Sequence, residues 1–321
     1  MNILISGGTG FVGRSFMDHL ATLVDFQTKP FQLTVLSRNP AKFLGEFKRF
    51  SKYDWINFIE ADVLAPKTLP FQKKFTHIIH AATEATISSC IGYKEQFIQI
   101  VEGARNMLDL AVETGAQRFL LTSSGAAYGP QPAEVTNLCE DWLGSPSLEQ
   151  PQHAYGLGKR AAEHLCALYQ DAHGLETVVC RCFAFVGPDL PLNAHYAIGN
   201  FIRDALNGKP ITVAGNGTPL RSYMDQRDMA QWLLKLLLEG KSGNLYNVGS
   251  DEAVTIQELA YLVREIIAPQ LPVNILGESQ VLSSRNRYIP SIEKARRLHG
   301  LKITIPLIKA IEYTALAHQK S

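Results

Sequence analysis

Tyr155-Gly-Leu-Gly-Lys159 sets a phenol and an ammonium one helical turn apart, on one face of a helix. A nearby cation favours phenolate over phenol and lowers the pKa of the tyrosine. Tyr155 is thereby suited to act as a general acid or base, with Lys159 tuning it. Lys159 is also placed to bind a ribose of a cofactor. Upstream, Thr122-Ser123-Ser124 follows an apolar strand-like run. Ser124 is suited to hydrogen-bond a substrate oxygen beside Tyr155. Each piece alone is common, since a Ser-rich loop before a helix with a surface lysine has the same spelling. The set gains meaning only from the elements around it.

The first of those elements is the opening of the chain. Asn2-Ile3-Leu4-Ile5-Ser6 is a short apolar run of strand type, and it flows into Gly7-Gly8-Thr9-Gly10-Phe11-Val12-Gly13-Arg14. Gly8, Gly10 and Gly13 fit G-x-G-x-x-G after a strand and before a helix. One glycine makes the turn, one lets the backbone approach a pyrophosphate, and one lets the helix pack on the strand. The stretch from Gly7 through Gly10, Phe11, Val12 and Gly13 is therefore the candidate phosphate site. The helix N-terminus there offers N–H groups and a positive dipole end. The expectation is a bound dinucleotide.

Three later strand ends sharpen it. A preference for the cofactor without a 2′-phosphate usually places Asp or Glu at the end of the second strand. Here Thr34-Val35-Leu36 runs into Ser37-Arg38. Ser37 does not repel a 2′-phosphate, Arg38 can neutralise one, and Arg14 can help. NADP is favoured over NAD on this feature, with solvated surface arginines as the competing reading. Asp62-Val63 ends the third strand; Asp62 either accepts from an adenine amino group or caps a turn. His80-Ala81-Ala82 ends the fourth, where Ala81 and Ala82 leave room for a cofactor and His80 reads as a packed histidine.

Strand runs at Leu33–Leu36, Ile56–Ile59, His77–His80, Phe119–Thr122 and Glu176–Cys182 alternate with helical patterns, clearest at Tyr93–Glu113 and Tyr155–His173. Continuous apolar strands between amphipathic helices predict an α/β fold, a doubly wound parallel sheet of Rossmann type. After Gly187-Pro188 the loops lengthen and the elements shorten. The predicted division is a dinucleotide-binding domain at 1–187 and a smaller α/β substrate lobe at 188–321, with the chain crossing between them and the substrate in the cleft. The 321 residues are 46% hydrophobic, enough for a sizeable core, and carry a formal net charge of +1. That balance argues against nucleic acid or an acidic membrane as partner. There is no apolar run of spanning length and no room for a signal peptide before the first strand. Cys90, Cys139, Cys166, Cys180 and Cys182 have no CxxC spacing. They read as reduced thiols in a cytoplasmic protein without a metal site.

The ordered set of the Gly-rich turn, Ser123-Ser-x-x-x-Tyr128-Gly129, Tyr155-x-x-x-Lys159 and Gly187-Pro188 resembles the extended short-chain dehydrogenase/reductases. These are the NAD-dependent epimerase/dehydratase family acting on nucleotide sugars. Gly215-Asn216-Gly217, Arg221-Ser222-Tyr223, Asp228, Tyr246-Asn247-Val248-Gly249-Ser250 and Lys294–Leu298 extend the match over nearly the whole chain. The resemblance implies Ser124, Tyr155 and Lys159 as the catalytic set and Arg221 as a ligand of the sugar nucleotide's diphosphate. It also implies a homodimer through the helices at Tyr93–Glu113 and Tyr155–His173. In the variable region, His195 either faces the sugar or is structural. Asn200 either meets the diphosphate or caps a helix.

Departures from the family narrow the reaction. Ser124-Gly125-Ala126 stands where the 4,6-dehydratases carry Thr-Asp-Glu, so an extra acid and base for removing water are missing and dehydration is disfavoured. Ile100 and Ala184 replace two asparagines common in the family. The expected function is NAD(P)-dependent reduction of a 4-keto nucleotide sugar, with Tyr155 as proton donor. The alternatives are a nucleotide-sugar 4-epimerase with tightly bound NAD and a non-catalytic dinucleotide-binding sensor.

Overall fold

The structure is a computed structural model and describes residues 1–24, 31–83, 91–194, 196–277 and 286–319. The chain begins β1 (Asn2–Ser6), α1 (Phe11–Val24), β2 (Gln32–Ser37), α2 (Pro40–Glu46), β3 (Ile56–Glu60), β4 (His77–His80), α3 (Tyr93–Thr114), β5 (Arg118–Ser124), α4 (Ala154–His173) and β6 (Glu176–Cys182). It continues through β7 (Phe185–Val186), α5 (Ala197–Leu206), β8 (Ile211–Val213), β9 (Leu220–Arg221), β10 (Met224–Asp225), α6 (Gln226–Glu239) and β11 (Asn244–Val248). The last elements are β12 (Val254–Thr255), α7 (Ile256–Ile267), β13 (Val273–Ile275), β14 (Arg287–Tyr288), α8 (Glu293–His299) and α9 (Leu307–Gln319).

Two compact units are formed. The first comprises Met1–Gly129, Ser145–Cys182 and Ala230–Tyr246. Its seven-stranded sheet has the order β11-β6-β5-β4-β1-β2-β3. The pairings from β6 across to β3 are all parallel. Such strands are covered on both faces, which explains their unbroken apolar runs: Ile3, Leu4 and Ile5 on β1 and Ile78 and Ile79 on β4 have no exposed surface. Leu4 and Ile78 pack in one cluster with Ala104, Met107, Leu108 and Ala111 of α3 and Ala162 and Cys166 of α4. The strand order runs outward from β1 to β3 and resumes on the other side at β4. That reversal leaves a crevice at the carboxyl ends of β1 and β4.

The second unit comprises Pro130–Gly144, Phe183–Met229 and Asn247–Ser321. Among the described residues its sheets are small: β12-β9-β14, β10-β7 and β13-β8. Its helices α5, α7 and α9 pack on one another. A reciprocal capping box starts α7, in which Thr255 Oγ1 accepts from Glu258 N and Glu258 Oε2 accepts from Thr255 N.

Candidate active site

The crevice at the sheet's reversal is a cleft of about 260 Å³. Gly7, Thr9 and Gly10 line it from the β1 turn, Ser37 and Arg38 from the end of β2, Asp62 and Val63 from the turn after β3, and Ala81 and Ala82 from the residues after β4. The glycines divide their work differently from the simple G-x-G-x-x-G pattern. The turn is made by Gly7, at φ +73°, where a Cβ would lie 2.5 Å from the Ala81 carbonyl carbon. Gly8 serves packing: a Cβ on Gly13 would lie 2.1 Å from the Gly8 Cα, so α1 sits directly on the turn. Gly10 remains at the cleft, with Gly7 O at 3.4 Å as the one near neighbour of a Cβ placed there. A cradle of bare backbone next to a helix N-terminus fits a dinucleotide's pyrophosphate.

The other cleft residues behave as follows. Ser37 Oγ accepts from Asn39 N at 3.2 Å, while Arg38 is exposed. Asp62 caps its turn, Oδ1 accepting from Leu64 N at 2.9 Å, and also lines the cleft. Phe11 and Val12 open α1, half-buried, and are not among the lining residues. Arg14 turns its guanidinium over the Phe47 ring, 4.4 Å from the centroid, rather than lining the cleft.

Along the sheet edge from this cleft lies the β5–α4 seam. Lys159 is 2% exposed. Its Nζ donates to Thr122 O and to Thr83 Oγ1, both at 2.8 Å, and lies 5.9 Å from the Tyr155 ring centroid. Burial pulls the Lys159 ammonium down to about 8, with the Glu163 carboxylate opposing it. Tyr155 is half-buried one turn earlier on the same helix face. Ser124 is buried at the end of β5, and its Oγ accepts from Ala126 N at 3.1 Å. Its O–H is a hydrogen-bond donor at the carboxyl edge of the sheet. The arrangement can move a proton at a phenol held over an ammonium, with a serine hydroxyl ending the adjoining strand.

His80 is packed beneath. Its Nδ1 lies 2.7 Å from Ser6 Oγ, and its carbonyl accepts from Thr122 Oγ1 at 3.1 Å. Burial, helped by the Lys159 charge, holds its imidazole down at about 3, so the ring is neutral at physiological pH. The substitution at Ile100 also has a physical account. Its side chain fills the space beside Gly158, where a Cβ would lie 3.2 Å from Ile100 Cδ1, so an apolar contact from α3 braces the Tyr155–Lys159 turn.

In the second unit, Arg221 lies on β9, half-buried, with Nη1 donating to Leu220 O at 2.8 Å. Asn200 is in the interior of α5, not at its cap, which is Tyr196; its Oδ1 accepts from Arg203 Nη1 at 2.9 Å. The helix-cap reading of Asn200 is thereby corrected, because its backbone N already bonds to Tyr196 O within the first turn. His195 lies outside the described residues. Among the described residues no His, Cys, Asp and Glu group has the arrangement of a metal site, and no helix is long and apolar enough to cross a membrane.

Sequence reasoning missed Glu163 and Arg181, and the bond that ties Ser123 to them. Ser123 Oγ donates to Glu163 Oε1 at 2.5 Å, and Arg181 Nε and Nη2 donate to the same carboxylate at 2.8 and 2.6 Å. A signal was present: Arg181 interrupts the apolar strand Val178-Val179-Cys180, and Glu163 follows Lys159 by one turn.

Known proteins are similar to this chain in fold and, more distantly, in sequence. UDP-glucuronic acid decarboxylase 1 of Danio rerio is 31% identical over 322 residues, covering 97% of this chain and 71% of that protein. UDP-glucose 4-epimerase of Thermotoga maritima, solved with UDP-glucose, superposes with a TM-score of 0.85 at 20% identity, over 100% of this chain and 99% of that one. UDP-glucuronic acid 4-epimerase of Bacillus cereus, solved with NAD, gives a TM-score of 0.82 at 21% identity, over 100% and 99%. The sequence model of the NAD dependent epimerase/dehydratase family matches residues 3–249, from the first residues of β1 past the end of β11. With its seven-stranded sheet, its glycine turn and its Tyr155–Lys159 helix, this chain belongs to the NAD dependent epimerase/dehydratase family.

Proposed function

We propose that this chain reduces a 4-keto nucleotide sugar and favours NADP as its cofactor. The observation that carries the reading is the rim of the cleft at the end of β2. Ser37 and Arg38 line it, and neither position holds a carboxylate. A cofactor that is exchanged rather than retained suits net reduction. Ser124-Gly125-Ala126 supports the same choice, since Ala126 is buried and no side-chain acid stands there to expel water. The reading also has the chain act in the cytoplasm as a homodimer through α3 and α4, whose Tyr93, Phe97, Ile98 and Leu168 are exposed.

Gly7 and Gly10 with the start of α1 would hold the pyrophosphate, Gly13 keeping α1 packed on the turn, and Arg38 would meet the 2′-phosphate. Once bound, the nicotinamide supplies hydride chemistry. Ser124 Oγ donates to the ketone oxygen and orients it. Tyr155 Oη gives its proton to that oxygen as it becomes an alcohol. The Lys159 ammonium stabilises the phenolate left behind. Arg221 pairs with the diphosphate of the sugar nucleotide.

The test uses a 4-keto nucleotide sugar with NADPH deuterated at the transferred position. Deuterium in the product, with one NADPH consumed per turnover, is expected. Interconversion of nucleotide sugars without net NADPH consumption or label would establish the 4-epimerase instead. Release of carbon dioxide from UDP-glucuronic acid would align the chain with the decarboxylases it resembles. Arg38→Ala is expected to weaken NADP binding by about 1–3 kcal/mol, the scale of a charge-assisted hydrogen bond, and to leave NAD nearly unchanged in calorimetric titration.

A further inference from the structure

Two consecutive residues of β5 are stitched to α4. Thr122 O accepts from Lys159 Nζ, and Ser123 Oγ donates to Glu163 Oε1. Ser124, the next residue, is the candidate catalytic hydroxyl. On α4, Tyr155, Lys159 and Glu163 follow one another at single-turn spacing, so they share one face. The Glu163 carboxylate is clamped further. Arg181, paired with Ser123 across β5 and β6, bonds both of its oxygens. The Arg181 guanidinium carbon lies 4.0 Å from the ring centroid of Tyr128, which is fully buried in the short turn after Ser124. One carboxylate therefore ties together α4, β5, β6 and the turn that follows the candidate serine.

Adhesion alone does not account for this pair. The Arg181 and Glu163 side chains are only 7% and 12% exposed, and removing two charges from water offsets most of their attraction. A well-packed apolar pair would hold helix to sheet as firmly. What an apolar pair would not do is fix direction and carry charge.

We infer that Glu163 is a positioning residue: its clamp sets the register of α4 on β5, and its charge supports the Lys159 ammonium beneath Tyr155. The inference rests on the reading that Lys159 and Tyr155 manage the proton. The groups facing Lys159 are Tyr155 and Glu163 from its own helix, His80 from β4 and Cys182 from β6, with Arg181 behind Glu163. His80 is neutral, and burial pushes the Cys182 thiol up to about 12, so neither carries charge near neutral pH. Glu163 supplies negative charge that opposes the pull of burial on Lys159.

Glu163→Gln keeps the shape and removes the charge. The resting protein, with carbon-13-labelled lysine, reports the Lys159 titration by NMR, the resonance being assigned by its loss in Lys159→Met. The Lys159 midpoint is expected to fall by about half a pH unit or more. The alkaline limb of kcat should fall with it, while KM stays within about twofold. An unmoved midpoint in folded Glu163→Gln overturns the inference. Should that variant unfold around the orphaned cation, Glu163→Gln/Arg181→Gln removes both charges and is read the same way. Unfolding of both would overturn the positioning role in favour of a purely structural clamp. The titration needs no substrate. A shifted midpoint in a protein inert toward every nucleotide sugar would therefore sink the proposed function alone, and an unmoved midpoint in an active enzyme would sink this inference alone.

Discussion

The glycine-lined cleft and the β5–α4 seam lie in one unit and are built by opposite means. The cleft is made by leaving side chains out. Gly7, Gly10, Ala81 and Ala82 present backbone and little else, and close approach does the work. The seam is made by putting charged side chains in. Lys159, Glu163 and Arg181 are buried or nearly so, and each is held by hydrogen bonds from other elements. A site of omissions tolerates little added volume and is indifferent to pH. A site of buried charges tolerates isosteres poorly and is sensitive to pH. The comparison yields variants that should strike one region and spare the other.

The largest effect belongs to the seam. Tyr155→Phe keeps the ring over the Lys159 ammonium and removes only the transferable proton. Turnover is expected to drop roughly 10²–10⁴-fold, the range for general acid–base catalysis, with cofactor affinity unchanged. Steady-state rates beside a calorimetric titration give both numbers. Near wild-type turnover would rule out the proton-transfer role and revive the dinucleotide-binding sensor.

The next effect belongs to the cleft. A Cβ on Gly10 meets almost nothing of the protein, so Gly10→Val should fold with little change in Tm. Its branched side chain would instead occupy the pyrophosphate path, an overpacking cost of about 1–3 kcal/mol that appears in cofactor Kd. Gly7→Val is the contrasting variant, since it clashes with the Ala81 backbone and should lower Tm. Unchanged cofactor affinity in folded Gly10→Val would dissolve the distinction between the two glycines.

The same contrast explains what could be read in advance. The parallel strands were legible because burial on both faces leaves continuous apolar runs; the predicted spans His77–His80 and Glu176–Cys182 coincide with β4 and β6. The residues of the cleft sit at strand ends, where turn chemistry marks them locally. Tyr155 and Lys159 announce each other by spacing. Glu163 does not announce Arg181 or Ser123, because these partners are 18 and 40 residues away and meet only when the sheet forms. Ile100 and Gly158 complement each other across two helices for the same reason. The two-residue strands of the second unit, such as β9 and β12, have no period to detect. Gly7 and Gly8 are adjacent and chemically identical, so only the backbone angles show which makes the turn.

The smallest effect tests the buried charge in the seam without any substrate. Burial lowers Lys159 from its ordinary 10.5 to about 8, so the folded state releases its proton before the unfolded chain does. Between those values the unfolded state binds more protons, and stability rises with pH. The cost of burying the ammonium is full below about 8 and is relieved as pH climbs toward 10.5. Lys159→Met has no such dependence at this position, and other titrating groups cancel when the two proteins are compared. From pH 7.5 to 9 the wild type should therefore gain about 1 kcal/mol relative to Lys159→Met in denaturant unfolding. The cleft predicts the reverse control: a Gly10→Val protein should track the wild type across the same range, because no charge is buried there. A pH-independent gap between wild type and Lys159→Met would mean that the ammonium is well solvated, and the seam would lose the property that sets it apart from the cleft.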